Sequence, residues 1–176
     1  MSELWDCYDS KFNIVKGKTL VRGEEASFTE EEYHLVCEVA VKHVDGTYLI
    51  MQRDLRKEGY PGYWELSAGG AALQGETPLM CVKRELYEET GLSADTLLEV
   101  GRKTVSKSHC HFVVYLATVS CDKDSIKLQD GETIAYQWIN KADAYNMRDK
   151  LLIKRVFEMV LDVDESQPTI RHLPMQ

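Results

Sequence analysis

One helix constrains the fold of this sequence more than any other feature. Across residues 77–90, apolar side chains recur at steps of three and four, at Leu79, Val82 and Leu86, and this periodicity predicts a helix with one buried stripe. Gly91 follows directly, as is typical of a helix end. An amphipathic helix of this kind needs a second layer against which its apolar stripe can pack.

The remaining sequence predicts strands that supply this layer. Runs rich in β-branched residues, separated by turn signals such as Asp45-Gly46, occur at 34–44, 48–53, 64–67, 97–104, 111–119 and 133–139. A last long helix is expected over 141–162, with inward-facing residues Leu151, Leu152, Val156, Met159 and Val160. Strands mixed with two helices predict an α/β layered domain.

The chain of 176 residues shows no internal repeat, low-complexity tract or flexible linker, so we expect a single domain over residues 1–176. Its polar and acidic first part, residues 1–33, is expected to form a short hairpin or arm that leads into the core. The aromatic residues of this arm, Trp5 and Tyr8, suggest a contact surface for a homodimer.

Charge and cysteine content exclude several classes of protein. The 29 acidic and 21 basic residues give a formal net charge of −8, which disfavours general binding to a nucleic-acid backbone. No apolar run reaches the roughly 20 residues needed to cross a bilayer, and the first residues lack the features of a signal peptide. Five widely spaced cysteines without a Cys-x-x-Cys pair argue against a disulfide framework or a structural zinc site. We therefore expect a reduced, cytoplasmic protein without membrane contact.

Three glutamates lie beside the apolar stripe of the predicted helix. Glu85, Glu88 and Glu89 fall within an arc of roughly 100°, since each helical residue advances by about 100°. Like charges at these spacings repel, and the repulsion grows beside a buried surface. A divalent cation such as Mg²⁺ would make the arrangement favourable. The alternative is a solvated acidic face, in which Arg84 pairs with Glu88 or holds another carboxylate.

The spacing around this helix is similar to the Nudix box. Gly70, then Glu76, then the run Arg84-Glu-Leu-Tyr-Glu-Glu-Thr-Gly-Leu92 fit that motif at every defined position between residues 70 and 92. The resemblance to Nudix hydrolases implies an α/β/α sandwich with a mixed sheet. It also implies hydrolysis of a diphosphate bond in a nucleoside diphosphate linked to another moiety, through Mg²⁺ or Mn²⁺ and an attacking water.

The resemblance also implies roles for individual residues. The candidate metal site comprises Glu85, Glu88, Glu89, Glu76 and Gly70. Glu88 and Glu89 would also be catalytic, and Arg84 would orient the glutamate ligands. Gly70 and Gly91 would permit the turns that frame the helix.

Four further candidates lie outside the box. Glu132, in the loop-to-strand segment after Asp130-Gly131, is a candidate metal ligand or general base, and the alternative is an ordinary turn residue. Arg53, Trp64 and Tyr63 are candidate substrate-binding residues around a glycine- and proline-containing loop. Their alternative role is packing or solvation of that loop.

A second, looser resemblance concerns the first part of the chain. Residues 5–9, Arg22-Gly23 and Tyr33-His34-Leu35 resemble the branch that contains isopentenyl-diphosphate isomerase, which implies a prenyl diphosphate enzyme as an alternative. The stretch 67–71 lacks the cysteine that the isomerase needs, and the box is intact, so hydrolysis of a small organic diphosphate is favoured. A third hypothesis is a nucleotide-binding Nudix sensor without catalysis. The subfamily markers present do not identify the substrate.

Overall fold

The computed structural model of the protein describes residues 2–147, 160–163 and 171–172. The strands are β1 (Leu4–Tyr8), β2 (Ile14–Val21), β3 (His34–His43), β4 (Tyr48–Arg53), β5 (Trp64–Leu66), β6 (Ala68–Ala71), β7 (Thr96–Val105), β8 (Cys110–Val119), β9 (Thr133–Ile139) and β10 (Arg171–His172). The helices are α1 (Pro78–Thr90) and α2 (Lys141–Met147).

A mixed sheet forms the centre of the fold. Its strands follow the order β10-β7-β8-β3-β4-β5, with β6 paired to β3 and β9 paired to β4. The central pair, β3 and β8, runs parallel over ten residue pairs from His34↔Cys110 to His43↔Val119. The described part of β10 is parallel to β7, and the other pairs are antiparallel.

The two helices lie on opposite faces of this sheet. Successive side chains of a strand point to opposite faces, and on β8 Val113 packs in the same apolar cluster as Val82 and Leu86 of α1. The adjacent Val114 packs with Ala144 of α2 on the other face. The predicted α/β/α sandwich with a mixed sheet is therefore confirmed.

Helix α1 begins and ends where its sequence signals predict. The Thr77 side chain accepts a hydrogen bond from Met80 N, and Gly91 adopts the left-handed conformation with φ of 72°. The prediction that Leu79 belongs to the buried stripe is wrong, because this side chain is 43% exposed. Burial on α1 begins at Cys81, past the first turn, and the buried face includes glutamates.

A gap between β3 and β4 brings the glycine strand β6 into the sheet. The two strands pair only at Val41↔Leu49 and Lys42↔Tyr48; beyond that, β3 pairs with β6 and β4 pairs with β5. Ser67 bridges the gap, because its hydroxyl accepts from Val41 N at 2.9 Å and donates to Leu49 O at 3.0 Å. This local arrangement carries the chain from β5 into β6, directly opposite α1.

The first part of the chain forms an antiparallel hairpin of β1 and β2. Its inner side chains Trp5, Cys7 and Leu20 are buried, and Trp5 stacks on His34 of β3 with ring centroids 4.3 Å apart. The hairpin is therefore packed against the central sheet rather than extended into solvent.

The predicted last helix is only partly covered by the described residues. Helix α2 starts at Lys141 as expected, and Val160 and Leu161 are helical and buried. The expected inward residues Leu151, Leu152, Val156 and Met159 lie outside the described residues. In the described part of the chain, no helix has the length and apolar character that a membrane span requires.

Candidate active site

The two glycines of β6 are required by close approach and not by a turn. A Cβ atom on Gly70 would lie 2.3 Å from Glu85 Oε1, and one on Gly69 would lie 2.6 Å from Glu38 Oε2. The expected turn role of Gly70 is wrong, because this residue lies within β6 and lacks the positive φ of Gly91. Bare backbone at these two positions lets carboxylates approach the strand from both sides.

Arg84 holds three carboxylates of the box together. Its Nε and Nη2 donate to the two oxygens of Glu76, both at 2.8 Å. Its Nη1 donates to Glu85 at 2.6 Å and to Glu88 at 3.2 Å. The hydrogen bonds from Arg84 to Glu76 lower the pKa of the Glu76 carboxyl. Arg84 is therefore placed to orient the glutamates, as the sequence resemblance implies, and Glu76 lies against Arg84.

Two of the box carboxylates are buried, and their negative charge is only partly compensated or not compensated by Arg84. Glu85 and Glu89 are only 9% and 7% exposed. Burial raises the pKa of the Glu85 carboxyl, which Arg84 partly opposes. Burial, followed by the charges of Glu65 and Glu85, raises the pKa of Glu89 well above its usual value. These side chains resist ionisation unless positive charge reaches them.

Glu38 and Glu65 belong to this group but were not identified from the sequence. Loss of hydration, followed by the charge of Glu65, raises the pKa of Glu38 to about 8. Burial raises the pKa of Glu65, which Arg53 partly opposes through a 2.8 Å hydrogen bond. A single acidic residue within the apolar run of β3 was the available signal for Glu38.

The donor set suits a divalent cation. Carboxylate oxygens are the ligands that Mg²⁺ and Mn²⁺ prefer, and a cation would remove the repulsion between Glu85 and Glu89. The Glu85 carboxylate occupies the space that a side chain at position 70 would need. Within the described residues, no three Glu, Asp, His or Cys side chains already converge as a metal site.

The box glutamates face a cavity of about 490 Å³. Its walls come from the box, from two loops and from the N-terminal hairpin. The lining residues are Gly69, Gly70, Ala71, Leu73, Arg84, Glu85, Glu88, Glu89, Lys57, Gln129, Glu132, Glu3, Trp5, Arg22 and His34. Most of them are charged or polar, so the cavity suits a charged substrate.

Glu132 lines this cavity, as expected for a residue that acts with the box. Its carboxylate accepts a hydrogen bond from Lys57, which also lines the cavity. Arg56 donates to Asp54 and to Asp130, both at 2.6 Å. These ionic contacts hold the loop after β4 against the loop before β9 and so fix one wall of the cavity.

The three predicted substrate-binding residues lie away from the cavity lining. Arg53 donates to Glu65 and to Gly59 O, Trp64 packs against the apolar cluster beneath α2, and Tyr63 is 46% exposed. The structure places two other cations, Arg22 and Lys57, on the cavity walls. For Arg22 the sequence signal was only the looser resemblance of the first part of the chain.

Comparison with protein families and curated proteins agrees with this geometry. A family model described as NUDIX domain matches residues 33–159. The chain is 42% identical over 93 residues to an uncharacterised Nudix hydrolase of Listeria monocytogenes, covering 53% of each chain. It is 33% identical over 144 residues to one of Listeria innocua, covering 79% of this chain and 80% of the relative. The chain thus spans about half the length of the first relative and four fifths of the second.

A shorter match connects the chain with an isomerase. This chain is 36% identical over 76 residues to isopentenyl-diphosphate Delta-isomerase of Corynebacterium diphtheriae, and the match covers 43% of this chain and 42% of the relative.

Solved structures share the fold at low sequence identity. A Deinococcus radiodurans protein has a TM-score of 0.71 at 17% identity, covering 90% of this chain and 99% of its own. A Francisella tularensis bifunctional NMN adenylyltransferase/ADP ribose pyrophosphatase, complexed with AMP and a manganese ion, has a TM-score of 0.55 at 18% identity. That match covers 72% of this chain and 40% of the other.

Proposed function

This chain belongs to the Nudix domain family, and on that basis we propose that it hydrolyses a diphosphate bond in a nucleoside diphosphate linked to another moiety, or in a related organic diphosphate, with the aid of Mg²⁺ or Mn²⁺. The observation that carries the proposal is the buried pair Glu85 and Glu89. These two carboxylates repel each other and line a polar cavity. The F. tularensis relative in fold that carries a manganese ion supports the choice of metal.

Glu85, Glu88 and Glu89 would hold the metal in this proposal. A divalent cation bound there would polarise phosphoryl oxygens and lower the pKa of a bound water. Arg84 orients Glu85 and Glu88, because its Nη1 donates to both of them while its Nε and Nη2 donate to Glu76. The chain thus contributes a fixed set of carboxylates, which lowers the cost of ordering them for catalysis.

Glu132 is our proposed proton acceptor for the attacking water. It lines the same cavity as Glu85 and Glu89 but comes from a different loop, so it can reach the diphosphate from another side. Lys57 and Arg22 provide positive charge on the walls. A chain with a net charge of −8 needs such local cations to attract a polyphosphate.

The cavity favours hydrolysis of a polar substrate over prenyl diphosphate chemistry. Its lining includes few apolar side chains, such as Trp5 and Leu73, and so offers little surface for a hydrocarbon tail. The stretch 67–71 contains no cysteine. At Gly69 a side chain is also excluded, because Glu38 already occupies the space where its Cβ would lie.

A product assay with purified protein and Mg²⁺ tests the proposal. The substrate panel comprises ADP-ribose, nucleotide sugars, dinucleoside polyphosphates, dNTPs, coenzyme A and isopentenyl diphosphate. We expect metal-dependent cleavage of one member, reduced by about 10³-fold or more in Glu89→Gln and unchanged in the exposed control Glu30→Gln. Isomerisation of isopentenyl diphosphate would contradict the proposal, and Mn²⁺ binding without any turnover would favour a sensor.

Location and assembly remain predictions. All five cysteines are free thiols, which supports a reducing compartment such as the cytoplasm. A homodimer is tested by light scattering of the purified protein, where a mass near 20.1 kDa would contradict it.

A further inference from the structure

The N-terminal hairpin contacts the loop that precedes the catalytic helix. The hairpin, β1 and β2 with their connecting turn, lies outside the residues that match the family model, which begin at 33. We propose that Asp6, in β1 of this hairpin, is a positioning residue for the box glutamates. The inference rests on the proposed function and deepens it.

Three hydrogen bonds join the hairpin to the loop 72–77. Gln74 N donates to Leu4 O, the Gln74 side chain donates to Thr19 Oγ1, and Gly75 N donates to Asp6 Oδ2, each at 2.8 Å. The contact of Asp6 is the one among these three that uses a charged acceptor, and charge-assisted hydrogen bonds are stronger than neutral ones. Asp6 therefore fixes the loop at Gly75.

The position of Gly75 matters because the next residue is Glu76. Gly75 has a φ of 84°. The direction of its N–H therefore depends on the conformation of this tight turn. Within this turn Glu76 N donates to Leu73 O at 2.9 Å, and Leu73 N donates to the Glu76 carboxylate at 2.8 Å. The bond to Asp6 thus anchors the turn that presents the Glu76 side chain.

Glu76 in turn sets the position of Arg84. Both of its oxygens accept from the guanidinium at 2.8 Å, and the same guanidinium donates to Glu85 and Glu88. Asp6 is therefore linked to these two glutamates by its hydrogen bond to Gly75, the peptide bond from Gly75 to Glu76, and the hydrogen bonds of Arg84. Small displacements of catalytic groups reduce rates strongly, so a loosened loop would lower the rate without removing any ligand.

Asp9 of the same hairpin provides a matched control. Its carboxylate accepts from Lys11 N at 2.8 Å and from Asn13 N at 3.0 Å, so it stabilises the hairpin turn but has no contact with the loop 72–77. Asp9→Ala therefore weakens the hairpin by itself, whereas Asp6→Ala also releases the loop. Asp6→Asn keeps an oxygen that can accept from Gly75 N and tests whether the hydrogen bond suffices.

The experiment measures Mn²⁺ binding by electron paramagnetic resonance without substrate, together with kcat, KM and thermal unfolding. For Asp6→Ala we expect Mn²⁺ affinity about fivefold weaker and kcat about tenfold lower, with KM within about twofold. Asp6→Asn should recover most of both losses, and Asp9→Ala should lower only the unfolding temperature.

Equal effects of Asp6→Ala and Asp9→Ala on Mn²⁺ binding and kcat would overturn the proposal, because they would indicate a general loss of hairpin stability. Unchanged Mn²⁺ affinity in Asp6→Ala would also overturn it. If the wild-type protein binds Mn²⁺ but cleaves no substrate, the hydrolase proposal fails, and the binding comparison still decides the role of Asp6.

Discussion

Two arginines serve the carboxylates on either side of the glycine strand β6, and they do so unequally. Arg84 donates to Glu76, Glu85 and Glu88. The Arg53 side chain donates to one carboxylate, that of Glu65, and to the backbone carbonyl of Gly59.

The difference leaves two acids short of positive charge. In the described part of the chain neither Glu38 nor Glu89 forms a salt bridge, and burial with neighbouring acids raises both pKa values. Arg84 compensates the charges of the carboxylates that it contacts, whereas the buried Glu38 and Glu89 carboxyls retain raised pKa values. Uncompensated buried acids destabilise a fold, and their position beside a cavity supports the proposed metal site.

Gly70→Ala should have the largest effect on this arrangement. The new Cβ would overlap the Glu85 carboxylate, 2.3 Å away, and would displace it from both Arg84 and the cavity. We expect kcat/KM to fall by roughly 10²–10³-fold. The control is Gly59→Ala, because a Cβ at that position meets nothing within 4 Å. Similar activity in both variants would mean that the position of Glu85 does not matter.

These residues also show what the sequence could predict. The ends of α1, its glutamates and the role of Arg84 follow from local spacing, because helical geometry fixes which side chains are neighbours. Glu38 was missed because its importance depends on the register between β3 and β6, which pairs it with Gly69. Sequence spacing contains no information on such non-local pairing.

Tertiary contacts also decide which residues line the cavity. Arg53, Trp64 and Tyr63 flank one loop in sequence and stay candidates for substrate binding, but none of them is among the residues that line the cavity. The hairpin brings Arg22 to the cavity from a part of the chain far from the box in sequence. The general class of the protein was accessible from local motifs, whereas the cavity walls depend on tertiary contacts.

A pair of arginine substitutions tests the comparison directly. Lysine keeps the charge but loses the planar fork that contacts several carboxylates. We expect Arg84→Lys to lower kcat by about 100-fold and Arg53→Lys by less than about tenfold, because Arg84 orients two box glutamates. Equal losses in the two variants would remove the distinction between the sides of β6.

Arg22→Gln should have a smaller effect, confined to substrate binding. Arg22 lines the cavity and its side chain is 60% exposed beside Glu3, so it can turn toward an anionic substrate. We expect KM to rise about fivefold with kcat within about twofold of wild type. Lys16→Gln, on the exposed part of the same hairpin, is the control. A fall in kcat alone would contradict a binding role.

Glu38→Gln should change stability rather than substrate binding. The pKa of Glu38 is raised to about 8, so between about pH 4.5 and pH 8 the folded protein retains a proton that the unfolded chain has lost. Stability of the metal-free protein therefore falls as pH rises through this window, and the substitution removes that contribution.

Thermal unfolding at pH 5.5 and pH 8 with a chelator measures the difference. We expect the decrease in unfolding temperature with pH to be smaller in Glu38→Gln than in wild type by roughly 2–4 °C. Glu30→Gln, in an exposed stretch, should behave like wild type. Parallel pH dependence in all three proteins would show that Glu38 ionises normally.

The most direct test of the central claim is the anomalous difference map of a crystal soaked in Mn²⁺. The buried carboxylates predict a manganese peak in the cavity within coordination distance of Glu85 and Glu89. A map without a peak at these residues would contradict the assignment of this acidic group as the metal site.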